Sequence, residues 1–219
     1  MMAGQRNKAL TRREMVQLCG VAGFGVAVSG GLRFFKSPGI DIGMTPAVRG
    51  ILADGEAPVG GNPEGDVTIV AYTDYHCPAC RVANSALQSI LASDPGVRVI
   101  FKDWPIFGET SRQAARWAIA SNEQGVYVQV HDQFMRTLER IDRSIAEAAI
   151  QHAGGEWEQL EHTIKDSGRR IENMLNRHAI EAFSLGLRGT PGFLIGSVVV
   201  NSLLTEAEFA NLIAGARAL

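Results

Sequence analysis

Cys77-Pro78-Ala79-Cys80 places two thiols two residues apart, a spacing at which one chain can cycle between dithiol and disulfide. The chemistry this allows is thiol–disulfide exchange, in which a thiolate attacks a disulfide sulfur and a mixed disulfide forms. A free cysteine is mostly protonated at neutral pH, whereas one at a helix N-terminus falls to roughly 3.5–7.5. The flanks supply such a position. An apolar run, Val67-Thr68-Ile69-Val70-Ala71-Tyr72, reads as a strand, and after Cys80 the residues Val82, Ala83, Ala86, Leu87, Ile90 and Leu91 recur at helical spacing. Pro78 suits the first helical position, leaving the N–H groups of Ala79 and Cys80 to face the Cys77 sulfur. Cys77 is therefore expected to be the sulfur that attacks or is attacked, and Cys80, one turn deeper and less accessible, the resolving thiol.

Other uses of the pair fit less well. Zinc needs four ligands, commonly two paired clusters; the remaining cysteine, Cys19, lies in an N-terminal apolar segment, and His76, His131, His152, His162 and His178 are scattered. No metal site is expected. A purely structural bridge closing so short a loop would add little stability.

The elements that must hold the pair follow along the chain. Residues 1–30 carry Arg6, Lys8, Arg12 and Arg13 ahead of an apolar stretch rich in Gly, Ala and Val, the layout of an export signal. Thr11-Arg12-Arg13-Glu14-Met15-Val16 resembles the twin-arginine pattern, and with no clear cleavage site the segment is read as a signal or a retained anchor. Without residues 1–30, four of the 21 Lys+Arg and one of the 23 Asp+Glu are gone, leaving 17 against 22, a net of −5. An acidic body argues against a nucleic-acid partner. Residues 31–60, rich in Gly and Pro, read as a linker or leading arm with a short helix near residues 46–52. Asp94-Pro95-Gly96 then marks a turn before a second strand at residues 97–101, giving a βαβ unit.

From residue 109 to 185 the pattern is helical. One helix holds Ala114, Ala115, Trp117, Ala118 and Ile119; the next runs from Val126 through Leu138, with Val130, Phe134 and Leu138 in one stripe; Asp142 caps a third. Trp157, Leu160 and Ile164 open another helix, and residues 171–183 form the last. Strand signals return at Phe193-Leu194-Ile195 and Val198-Val199-Val200 around a Gly196-Ser197 turn, and Thr205-Glu206-Ala207-Glu208 is a capping box.

This order, with Gly61-Asn62-Pro63-Glu64-Gly65-Asp66, Asp74-Tyr75-His76-Cys77-Pro78-Ala79-Cys80, Phe101-Lys102-Asp103-Trp104-Pro105-Ile106 and Gly189-Thr190-Pro191-Gly192-Phe193, resembles the DsbA family, closest to its exported DsbG-like and ScsC-like branch. The resemblance implies an α/β, thioredoxin-like fold formed by residues 61–108 and 186–219, interrupted by a helical insertion at 109–185. It implies a protein-disulfide oxidoreductase of the bacterial periplasm or another extracytoplasmic space, with no cofactor, whose partners are cysteine-containing substrate proteins and a DsbB- or DsbD-like membrane redox protein. It further implies that Thr190-Pro191 is a cis-proline loop beside the CxxC; the residues alone allow a trans proline opening an edge strand. Ala79 stands where the strongest oxidants of the family carry histidine. Thr190 resembles the isomerase and reductase members, so a reduced isomerase or reductase is the alternative function, and a holdase-like binding module a third. The Thr190 hydroxyl is placed to bond a Cys77 thiolate. His76 either supplies a nearby charge or points to solvent. Lys102-Asp103 reads as a solvated strand-end pair rather than a charge beneath the site, and Trp104 and Phe107 as packing beside it. Tyr75 is either a packed ring or a substrate contact.

Overall fold

The computed structural model describes residues 38–218. The export signal or anchor read at residues 1–30, Cys19 within it, and residues 31–37 of the arm lie outside the described residues. Among the described residues no helix is long and apolar enough to cross a membrane.

Six strands form one mixed sheet in the order β1-β6-β5-β3-β4-β2: β1 Ile40–Asp41, β2 Val59–Gly61, β3 Val67–Thr73, β4 Val97–Asp103, β5 Gly192–Ile195 and β6 Val198–Val200. β3 and β4 run parallel, with Val67 opposite Val97 and Thr73 opposite Asp103. The helix between them, α2 (Pro78–Ser93), makes the crossover that parallel strands require. β5 lies antiparallel to β3, so Tyr72 faces Gly192 and the two chain segments that reach the site, 74–80 and 188–191, leave the same end of the sheet.

β3 is buried at nearly every position because both of its faces are covered. Ile69 and Ala71 join the core with α2 and the C-terminal helix (Glu206–Arg217). Val70 and Tyr72 pack on the other face with Val48 and Ile51 of α1 (Pro46–Leu52), Trp104 and Ala182. The C-terminal helix begins with the expected reciprocal cap between Thr205 and Glu208, and Gly196 takes a φ of +57° in the turn between β5 and β6.

Between β4 and β5 lie α3 (Glu109–Ser121), α4 (Tyr127–Arg136), α5 (Arg143–His152) and α6 (Trp157–Ser184), with a 3-10 turn after α3; the C-terminal helix is α7. Asp142 caps α5, accepting from Ile145 N. Two expectations for this block do not hold. The segments at 157–164 and 171–183 are one continuous helix, α6: Gly168 in its middle faces open space and costs only about 1 kcal/mol relative to alanine. α4 stops at Arg136, so Leu138 leaves the apolar stripe and is 83% exposed.

The arm is also more than a linker. β1 pairs with β6, β2 pairs with β4, and α1 covers the sheet. The glycines that suggested flexibility serve close approach instead: a Cβ on Gly60 would come within 2.8 Å of the Phe101 ring, and Gly61 has a φ of +69°.

Candidate active site

Cys77 is the N-cap of α2. The Cys80 N–H donates to its sulfur at 3.3 Å, and the Cys77 thiol donates to the Thr190 carbonyl, also at 3.3 Å. Both cysteines are reduced and buried, Cys77 at 3% exposure and Cys80 at 0%. The Cys77 pKa falls from 9.0 to about 6. The largest cause is the Cys80 thiol, which donates to the thiolate; burial opposes this, and the Thr190 hydroxyl and the N–H groups of Cys80 and Ala79 add to it. Burial, reinforced by the Cys77 charge, pushes Cys80 far upward. One sulfur is thus held ready to ionise and the other kept as a thiol, the division of roles that exchange requires.

The Thr190–Pro191 peptide is cis, and Pro191 is buried. The Thr190 hydroxyl is buried with no hydrogen-bond partner in the dithiol form, a donor kept for the thiolate. Pro78 occupies the first helical position, and the Ala79 side chain packs against the core with no polar atom of its own.

His76 neither stands beside the thiolate as a charge nor points to solvent. Its Nε2 accepts from Ile141 N at 3.1 Å, and its Nδ1 meets the Ser111 hydroxyl at 3.1 Å. Since Ser111 gives its own proton to Asp74 Oδ1 at 2.8 Å, Nδ1 bears the ring hydrogen and the imidazole is neutral. Burial lowers its pKa.

Asp74 and Ser111, to which the sequence assigned no role, organise the approach to Cys77. Asp74 Oδ1 also accepts from His76 N at 2.8 Å, and Oδ2 accepts from Ile106 N and Phe107 N at 2.7 and 3.0 Å. One buried carboxylate thereby ties the CxxC loop to the segment after β4 and to α3. The signal was present in Asp74-Tyr75-His76, but its partners are more than 30 residues away.

Lys102 and Asp103 correct the solvated reading, for both are buried. Lys102 is paired with Asp54 and with Glu181 at 2.8 Å, joining the arm to α6. Asp103 accepts from the Tyr127 hydroxyl at 3.0 Å, and burial raises its pKa to about 7. Tyr75 is a packed ring whose hydroxyl lies 3.1 Å from His131 Nδ1. Trp104 packs as expected, whereas Phe107 is 52% exposed.

With this geometry established, comparison with known proteins gives its class. Residues 53–214 match the family model described as Thioredoxin. A thioredoxin-like oxidoreductase from Silicibacter pomeroyi DSS-3 superposes with a TM-score of 0.73 at 32% identity, over 77% of this chain and 96% of that one. The chain belongs to the thioredoxin family. Within it, the paired thiols make it a thiol–disulfide oxidoreductase, and the helical insertion gives it a DsbA-like fold. The thiol-disulfide exchange protein alpha-DsbA2 from Wolbachia pipientis has the same fold, with a TM-score of 0.72 at 23% identity over 76% of this chain and 90% of that one. A curated relative, the Na(+)/H(+) antiporter NhaA 3 of Salinispora tropica, is 34% identical over 76 residues, 34% of this chain. The match spans only 12% of that antiporter's length, so ion transport does not carry over.

Proposed function

We propose that the protein is an exported disulfide donor, exchanging its Cys77–Cys80 disulfide with cysteine-containing client proteins. The observation that carries this is the asymmetry of the two sulfurs: Cys77 at the helix N-terminus with a pKa of about 6, Cys80 buried behind it and held as a thiol. In the oxidised protein a client thiolate attacks Cys77 Sγ. The Cys77–Cys80 bond breaks and Cys80 leaves, taking up a proton. A second client thiolate then attacks the client sulfur of the mixed disulfide, and Cys77 leaves as a thiolate. Two electrons pass to the protein and the client gains a disulfide.

The cis Thr190–Pro191 peptide beside Cys77 supports docking of an extended client segment along the Thr190 backbone. The twin-arginine-like residues Arg12 and Arg13 and the apolar stretch after them support export to the periplasm, where a DsbB-like membrane protein would reoxidise the pair. Ala79, with no side-chain donor for the thiolate, favours the second reading: an isomerase or reductase kept reduced by a DsbD-like donor.

Replacing Cys77 with serine should abolish exchange, and Cys80→Ser should accumulate mixed disulfides that thiol trapping and mass spectrometry identify. A Cys77→Ser protein that still oxidised a reduced client would overturn the proposal.

A further inference from the structure

The connection at residues 137–142, between α4 and α5, forms the outer lip of a cleft of about 370 Å³ beside the CxxC, lined by His76, Arg81, Phe107, Leu138, Glu139 and Arg140 among others. The buried Ile141 side chain and three hydrogen bonds hold this lip inward. Arg81 Nη1 donates to Leu138 O at 3.3 Å, Arg140 Nη2 donates to Thr110 Oγ1 at 3.2 Å, and Ile141 N donates to His76 Nε2 at 3.1 Å. Only the third involves a group that changes charge in the accessible pH range.

We infer that His76 is a positioning residue, a latch that holds the 137–142 lip in place as the outer wall of the client cleft while neutral and loosens it when protonated. This rests on the exchange function proposed above. The latch works through the ring's tautomer. Nδ1–H is committed to Ser111, whose own proton goes to Asp74, so Nε2 must remain an acceptor for Ile141. A proton on Nε2 would set two N–H donors against each other and place a cation between Arg81 of α2 and Arg140 of the lip. The groups facing His76 are Asp74 on its own loop, Arg81, Arg140 and uncharged Ser111 of α3; Asp74 favours protonation, while both arginines and burial oppose it. Loosening therefore belongs below the ordinary histidine range. Because His76 immediately precedes Cys77, the same ring sets the lip relative to the reacting sulfur.

The tautomer can be read directly from imidazole nitrogen correlations in the NMR spectrum of ¹⁵N-labelled protein. The expected result at neutral pH is Nδ1–H with bare Nε2, and an Ile141 amide shift that titrates with the same midpoint as the ring. An Nε2–H tautomer at neutral pH would overturn the inference. For function, the oxidised protein is reacted with reduced glutathione, which needs no cleft, and with a cysteine-containing peptide of about ten residues. The ratio of the two rate constants removes the titration of the reacting sulfurs. As pH falls through the His76 midpoint, the peptide-to-glutathione ratio is expected to drop roughly two- to tenfold, the worth of one hydrogen bond. In His76→Gln, whose amide oxygen can still accept from Ile141 but does not titrate, the ratio is expected to stay level. A level ratio in the unaltered protein would refute the latch, whereas absence of reaction with both thiols would refute the exchange function itself.

Discussion

Thr190→Val removes a side-chain donor to the Cys77 thiolate. Valine keeps the shape of threonine, and the hydroxyl it removes makes no hydrogen bond in the dithiol form, so the fold loses little. The thiolate loses a charge-assisted hydrogen bond, worth about 1.5–3 kcal/mol, which would carry the Cys77 pKa from about 6 to roughly 7 or 8. The consequence for redox behaviour follows by linkage. At pH 7 a thiolate with a pKa of about 6 in place of 9.0 stabilises the reduced form by about 1.4 kcal/mol, equivalent to about 30 mV for a two-electron couple. Solvent screening lowers this, so the figure is an upper bound. Thr190→Val should abolish most of it and lower the reduction potential by roughly 20–30 mV. The assay is equilibration with glutathione buffers and trapping of free thiols, paired with a pH titration of Cys77 alkylation. A variant whose Cys77 pKa and potential match the unaltered protein would refute the assignment of the Thr190 hydroxyl to the thiolate.

Acid stability offers another test. Burial lowers His131 and His178 to about 3 and raises Asp103 to about 7. Between about pH 4 and 6.5 the unfolded chain thus binds two histidine protons that the folded chain refuses, and the folded chain holds one Asp103 proton that the unfolded chain lacks. The excess of one proton on the unfolded side makes stability fall by ~1.4 kcal/mol per pH unit on acidification, with neutral His76 adding in the same direction. Asp103→Asn should steepen the slope to ~2.8 kcal/mol per pH unit in urea titrations of the oxidised protein, in which Cys77 does not titrate; an unchanged slope would show that Asp103 is ionised in the fold. Lys102→Met takes the buried cation from Asp54 and Glu181 while the partly exposed Arg177 still faces both, and should cost about 3 kcal/mol, the low end for a broken buried pair. A loss below about 1 kcal/mol, the range of an exposed pair, would mean that this network is solvated.

What could be read from the sequence was local. The CxxC at a strand–helix junction, the Asp142 cap, the Gly196-Ser197 turn and the Thr205–Glu208 box each depend on residues within a few positions of one another. What escaped was long-range. Lys102 and Asp103 look like a strand-end pair because lysine and aspartate are rarely buried, and only the approach of Asp54, 48 residues away, and Tyr127, 24 away, makes burial tolerable. His76 gave two readings and took neither, because its partners Ser111 and Ile141 come from the insertion, 35 and 65 residues on. The pairing of the arm is hidden for a related reason: Gly60 and Gly61 permit close strand approach as readily as they permit flexibility, and composition does not separate the two.

The central claim is that Cys77 is an activated thiolate backed by a buried thiol. The direct test is the pH dependence of thiolate absorbance in the reduced protein, with alkylation and mass spectrometry assigning the ionising sulfur. A single transition at Cys77 near pH 6 is expected, with Cys80 still protonated at neutral pH. Ionisation of Cys77 only in the ordinary thiol range near 9, or Cys80 as the first to ionise, would contradict it.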